Sequence, residues 1–288
     1  MAKKISLVLE GGGMRGAYTA GCLSWLIDEG IEFKYAYGIS TGAVHLCSYL
    51  IKEKDYLFDL STKYICDPRL VGWRSLMREG NYVGYDLLFN HIFPDVFHYD
   101  MEKVLKVNSE SKVGIYDLEL GKTVYYKVKD LDKEMLLLKG ACTLPILGKI
   151  VEYDGKKLLD GGITKMIPIE ESVEDGIDLH MVITTKPADY IRKPAAKPIQ
   201  ALMRQVYRKY PSIGEDYAVR HLNYEKQINL VKSLQEEGKA LLLCPSQSIP
   251  VKRLTGDPEN LLKLYELGRK DMEERKEMIY ELLAKAND

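Results

Sequence analysis

Hydrophobic and polar positions along this chain repeat with two periods, one of strands and one of helices. Ile5 to Glu10 is a short apolar run that enters three glycines, Gly11-Gly12-Gly13. Beyond them leucines, Trp25 and Ile27 recur at helical spacing up to Gly30, a helix stop. Phe33 to Tyr37 reads as a second strand, followed by Gly38-Ile39-Ser40-Thr41-Gly42 and a helix to about Lys52. Two strand–turn–helix units in the first ~50 residues predict a parallel sheet covered by helices. Residues 55–110 read as helical and irregular, rich in Tyr and Phe. Val113 to Leu118 and Thr123 to Val128 alternate and join through Leu120-Gly121 as a hairpin. Lys149 to Tyr153 and Lys157 to Leu159 flank Asp154-Gly155, a strong two-residue hairpin signal. Leu179 to Thr185 is a buried strand, and Pro187, Pro194 and Pro198 punctuate a loop. Residues 214–237 and 257–286 read as amphipathic helices, with a strand at Ala240 to Cys244 between them. The proline loop near 187–198 is the one candidate boundary, and the strand after it implies that a single sheet continues past it.

Composition narrows the partners. The chain has 288 residues, 46% hydrophobic and 29% charged, which is ordinary for a globular protein. Its net charge of -1 draws it neither to nucleic acid nor to an anionic membrane, so any lipid affinity must come from a local surface. The five cysteines are scattered, without C-x-x-C pairs or zinc spacing, which suits a reducing cytoplasm. The apolar run after Met-Ala-Lys-Lys is too short for a signal peptide, and no stretch approaches ~18 apolar residues. The expectation is a cytoplasmic protein, able to touch a membrane only peripherally.

Three local patterns carry chemistry. Gly38-Ile39-Ser40-Thr41-Gly42 is G-x-S-x-G in its expected context, between a strand and a helix. Such a turn holds a serine exposed at the sheet edge, while Gly38 and Gly42 let the backbone pass close by. Gly11-Gly12-Gly13-Met14-Arg15-Gly16 also matches the dinucleotide fingerprint G-x-G-x-x-G. That use requires a carboxylate at the end of the second strand, where this chain has Ser40. The other use is an oxyanion nest of free N–H groups from Gly11, Gly12 and Gly13, with Arg15 nearby. Serine needs a base. Of the five histidines none has a motif around it, and His45, five residues after Ser40, points away from it if both are read on one helix. Asp160 closes a hairpin strand and precedes Gly161-Gly162, which permit close backbone approach. A Ser-His-Asp order through His180 or His221 stays open.

The three patterns together, in this order, resemble the signature of the patatin-like phospholipase family over about residues 4–190. Gly140 to Pro145 also resembles the segment before that family's aspartate, with Ala141-Cys142 where the family usually has Ala-Ser. The resemblance implies a three-layer α/β/α domain with a mostly parallel sheet. It implies a Ser40–Asp160 dyad without histidine, and a glycine-loop oxyanion hole. It further implies calcium-independent lipid acyl hydrolysis, with no metal and no cofactor. On this reading residues 1–190 form the catalytic domain and 191–288 a mainly helical extension packed on it. The substrate is a lipid or other acyl ester, met at a transient membrane contact, with no nucleic-acid partner. The alternatives are a Ser-His-Asp esterase of the α/β-hydrolase type and a nucleotide-binding protein using the glycine loop. Trp73 to Phe97 is the richest aromatic segment. Trp73 and Tyr82 are expected to be exposed there, Leu88, Ile92 and the phenylalanines to be core, and Gly80 and Gly84 to allow a lid to move.

Overall fold

Leu7 and Leu9 of the first strand point to one side of a sheet and Val8 to the other, and all three are fully buried. A strand apolar on both faces needs cover on both faces, and the computed structural model, which describes residues 3–286, supplies it. The strands are β1 Ile5–Leu9, β2 Tyr35–Ile39, β3 Lys112–Asp117, β4 Lys122–Lys127, β5 Val151–Tyr153, β6 Lys156–Asp160, β7 Leu179–Ile183 and β8 Ala240–Leu243. They form one sheet in the order β5-β6-β3-β2-β1-β7-β8, with β4 also paired to β3. The central pairs β3-β2, β2-β1, β1-β7 and β7-β8 are parallel, and the β3, β4, β5 and β6 edge is antiparallel.

The helices are α1 Gly16–Asp28, α2 Thr41–Leu50, α3 Lys54–Thr62, α4 Trp73–Glu79, α5 Tyr85–Leu87, α6 Met101–Leu105, α7 Leu136–Cys142, α8 Ile169–Glu174, α9 Lys197–Val206, α10 Pro211–Glu236, α11 Pro258–Glu274 and α12 Lys276–Ala284. α5 runs on into a π-helical stretch, Leu88–Val96. One face of the sheet packs against α1, α2, α3, α7, α11 and α12. The other packs against α8, α9 and α10. The architecture is the three-layer α/β/α arrangement with a mostly parallel sheet.

The C-terminal third is built into this fold. β8 extends the parallel sheet beside β7, with His180 opposite Ala240. α11 covers α1, which is buried from Gly16 to Leu26, as a helix apolar on all sides must be. The two helices meet through glycines: a Cβ at Gly21 would stand 2.0 Å from the Tyr265 carbonyl oxygen, and one at Gly268 2.3 Å from that of Tyr18. Tyr18 Oη donates to Asp271 at 3.0 Å and Trp25 Nε1 to Glu273 at 2.7 Å.

Two expectations change. The second strand lies at 35–39 rather than 33–37, because its pairing runs from Ser6 with Tyr35 to Leu9 with Gly38. The proline loop ends at Lys197, where a helix, α9, begins, and its first turn holds Pro198, where a missing N–H costs nothing.

Candidate active site

Ser40 joins the end of β2 to the start of α2 at φ 55°, ψ −127°. A side chain held there costs of order 1–3 kcal/mol, so the surroundings must enforce it. They do so by close contact. The Ser40 carbonyl accepts the Ala43 N–H at 2.8 Å. A Cβ at Gly42 would lie 2.8 Å from the Leu9 carbonyl oxygen, and one at Gly38 2.8 Å from Ala43 Cα. The turn is therefore clamped against β1, and the Ser40 side chain is directed out of it.

The glycine loop lies directly beside this turn. A Cβ at Gly11 would be 3.0 Å from Ser40 Cβ. Gly13 has φ +60°, and a Cβ there would meet the Arg253 carbonyl oxygen at 2.3 Å. Gly16 brings α1 against Thr41, whose Cγ2 would be 2.4 Å from an added Cβ. The N–H groups of this loop are not equivalent. Gly11 donates to the Met166 carbonyl at 3.1 Å and Met14 to that of Arg253 at 2.9 Å. Those of Gly12 and Gly13 have no acceptor among the described residues. Arg15, expected beside the oxyanion, does not line the cleft in which Ser40 stands. Gly13–Arg15 is a 3₁₀ turn, in which neighbours are separated by about 120°. Met14 lines the cleft, while the Arg15 guanidinium lies near Tyr190, Tyr224 and Arg253.

Asp160 ends β6 and is buried. Its Oδ1 accepts the Gly162 N–H at 2.7 Å, which fixes the carboxylate and leaves Oδ2 uncommitted. A Cβ at Gly161 would be 2.4 Å from the Gly114 carbonyl oxygen, so only glycine lets the chain turn under β3. Ser40, Asp160 and the glycine loop all line one cleft of about 920 Å³ including its mouth. Its walls are largely apolar, with Met14, Val44, Leu60, Val83, Leu88 and Leu144 among them.

Among the described residues no histidine hydrogen-bonds Ser40 or Asp160. His180 lies in β7 against Ser6 and Ser172, at 3.1 and 3.0 Å from Nδ1. His45 departs from expectation, because it lines the cleft. Its Nε2 is 3.4 Å from Ser61 Oγ and its Nδ1 is buried without a partner. Burial pushes the His45 imidazole down to about 4, so it is neutral at physiological pH.

A family model described as patatin-like phospholipase matches residues 7–173, more than half of the chain. The chain belongs to the patatin-like phospholipase family. A second family model, a domain of unknown function (DUF6363), matches residues 210–284. The chain is 24% identical over 196 residues to the uncharacterized protein YjjU of Escherichia coli (strain K12). That match covers 66% of this chain and 54% of YjjU, so the chain spans about half the length of that curated relative. A solved structure, VipD from Legionella pneumophila, overlays 95% of this chain and 66% of its own, at 11% identity and a TM-score of 0.45.

Several residues around this patatin-like phospholipase site carry no local sequence signal. Glu10, fully buried at the end of β1, accepts from Thr185 N at 2.6 Å and Thr185 Oγ1 at 3.0 Å, and pairs with Lys186. Burial and nearby guanidiniums pull the Lys186 ammonium below its ordinary value, and the Glu10 contact opposes them. Arg220 donates from Nε to the Gly162 carbonyl and, with Arg253, lines the cleft. In the aromatic segment Trp73 is 71% and Tyr82 41% exposed, and Phe89, Ile92, Phe93 and Phe97 are core, as expected, whereas Leu88, expected in the core, is half-buried because it lines the cleft. Among the described residues no helix is long and apolar enough to cross a membrane.

Proposed function

We propose that this protein hydrolyses the carboxylic esters of lipids through a Ser40–Asp160 dyad. Asp160 Oδ2 takes the Ser40 hydroxyl proton as Oγ attacks the ester carbonyl. The tetrahedral oxyanion rests on the N–H groups of Gly12 and Gly13, each worth ~2.7–4 kcal/mol of barrier. Collapse expels the alcohol, which takes the proton back from Asp160 and leaves an acyl group on Ser40. Water, deprotonated by Asp160, then releases the fatty acid and restores the serine. The observation that carries this reading is the convergence of Ser40 at φ 55°, the anchored Asp160 carboxylate and the loop's uncommitted N–H groups on one apolar cleft. The apolar walls suit an acyl chain. The exposed Trp73, Met77 and Tyr82 suit a transient lipid contact.

Ser40→Ala should abolish ester hydrolysis and labelling by a fluorophosphonate, with the circular dichroism spectrum unchanged. Full turnover in that variant would end the proposal.

A further inference from the structure

Behind the glycine loop stand four guanidiniums, those of Arg15, Arg192, Arg220 and Arg253. Burial first, and then the charge of Arg253, lowers the proton affinity of Arg15, Arg192 and Arg220. Arg192 lies 5.8 Å from the Tyr224 ring centroid, and Lys186 is 4.8 Å from the same centroid. Arg220 lies 5.7 Å from that of Tyr217 and is almost fully buried. Glu10 is already matched to Lys186. Among the described residues none of the four arginines forms a salt bridge with a carboxylate. Arg15 Nε is buried without any hydrogen-bond partner. Buried like charges without counter-charge are costly, and Asp160 is the acidic group that Arg220 feels. An anion brought to this place would relieve the excess.

Arg220 and Arg253 line the cleft that holds Ser40. An anion on them would therefore be part of the ester substrate, not a remote effector. A phosphoryl group offers several acceptor oxygens to forked donors, which a single carboxylate cannot match. Arg192, Arg220 and Arg253 all lie beyond residue 173, where the patatin-like phospholipase match ends. We propose that Arg220 and Arg253, which line the cleft, form a subsite for a phosphoryl group carried by the ester substrate beside Ser40, with Arg192 adding its charge from behind that lining. The proposal rests on the hydrolase reading above, and gives residues after 190 a part in substrate choice.

The test compares a monoacylglycerol phosphate with the monoacylglycerol of the same chain. The wild type should favour the phosphate ester in kcat/KM by tenfold or more. Arg192→Gln and Arg253→Gln should each lower that ratio about tenfold, and Arg192→Lys should restore part of it. No preference in the wild type, or an unchanged ratio in both variants, overturns the subsite. Calorimetric titration of the Ser40→Ala protein with glycerol 3-phosphate and with inorganic phosphate needs no turnover and no arginine variant. Glycerol 3-phosphate should bind. Inorganic phosphate binding alone would make this a free-phosphate site and overturn the headgroup assignment. If both esters are inert the serine chemistry fails, and the titration still decides the arginines.

A different observation concerns α9. Ile199, Leu202 and Val206 stand exposed along one stripe of this helix, while Met203 and Tyr207 face the core. Ile191 before it is 83% exposed. Residues 193–210 hold Lys193, Lys197, Arg204, Arg208 and Lys209 and no acidic residue. The buried side of α9 is tied to the loop that holds the segment after α4. Ile146 N–H donates to Tyr207 Oη at 2.9 Å, and the Leu147 carbonyl accepts from Tyr82 and Val83 at 2.9 and 3.1 Å. Val83 lines the cleft. We infer that α9 rests on an anionic lipid surface, its apolar stripe in the interface and its cations on the headgroups. The protein should cosediment with vesicles one-third phosphatidylglycerol at least tenfold better than with pure phosphatidylcholine at low salt. Ile199→Ser/Val206→Ser and Arg204→Gln/Lys209→Gln should each weaken that binding several-fold. Equal binding to both vesicles, or variants that bind like the wild type, overturns the inference. So does a concentration-dependent dimer lost in the same variants, which would make the stripe a contact between copies.

Discussion

His45 offers one variant that separates a structural histidine from a catalytic one. Its imidazole is buried in the cleft wall and pushed down to about 4, and that of His180 in β7 is likewise pushed down to about 4. An unfolded chain restores histidine to ~6.5. Between those values the unfolded state binds the extra protons, so stability is complete above about pH 6.5 and is lost as pH falls. At pH 5 an unfolded imidazole is mostly charged and the buried one mostly neutral. The difference is about 2 kcal/mol for each histidine, about 4 for the pair. His45→Gln keeps a polar side chain of similar size opposite Ser61 and removes the titration. Urea unfolding at pH 7 and pH 5 should show the wild type losing about 4 kcal/mol over that interval and the variant about 2, whatever the variant costs at pH 7. An interval loss within 0.5 kcal/mol of the wild type would refute the burial argument. The same protein tests the chemistry, because ester turnover should persist. Activity as low as that of Ser40→Ala would make His45 the base and put a triad in place of the dyad.

Other outcomes follow from the same geometry. Asp160→Asn keeps the contact with Gly162 N–H but cannot accept the serine proton, and turnover should fall ~10²–10⁴-fold without loss of folding. Gly12→Val places a Cβ 2.6 Å from Thr185 Cγ2, and Gly13→Val puts one against the Arg253 carbonyl oxygen. Both should lower kcat more than they raise KM, and a loss confined to KM would remove the oxyanion role. Trp73→Ser with Tyr82→Ser should leave the melting temperature nearly unchanged, since both side chains are exposed. That pair should weaken binding to neutral liposomes and slow turnover of aggregated lipid more than of a short soluble ester. Equal slowing on both substrates would place the lipid entrance elsewhere.

What the sequence reveals of this site is what local backbone geometry demands. Asp154 and Gly155 both have positive φ, at 48° and 73°, so the two letters alone announce the hairpin that delivers Asp160. Gly38, Gly42 and Gly161 are legible for the same reason: a Cβ at any of them would strike backbone, and no other residue fits. His45 shows where such reasoning stops. A helical wheel turns it away from Ser40, but Ser40 is not on the helix. At φ 55° it stands before the first turn, so the wheel does not relate the two side chains, and His45 faces the cleft. The proposed oxyanion donors fail to appear in the sequence in a similar way. Three glycines look equivalent until Met166, more than a hundred residues on, takes the N–H of the first. Arg192, Arg220 and Arg253 are harder still. They come from a loop, a helix and a second loop, with no shared spacing, and the chain as a whole is nearly neutral. Their meaning is set by where β8 and α10 carry the chain, so a concentrated charge next to Ser40 arises from residues that are each unremarkable in sequence. Glycine motifs fix where ester chemistry is done, because they are conditions on the backbone. The choice of ester depends on side chains converging from distant segments, and only the folded arrangement exposes it.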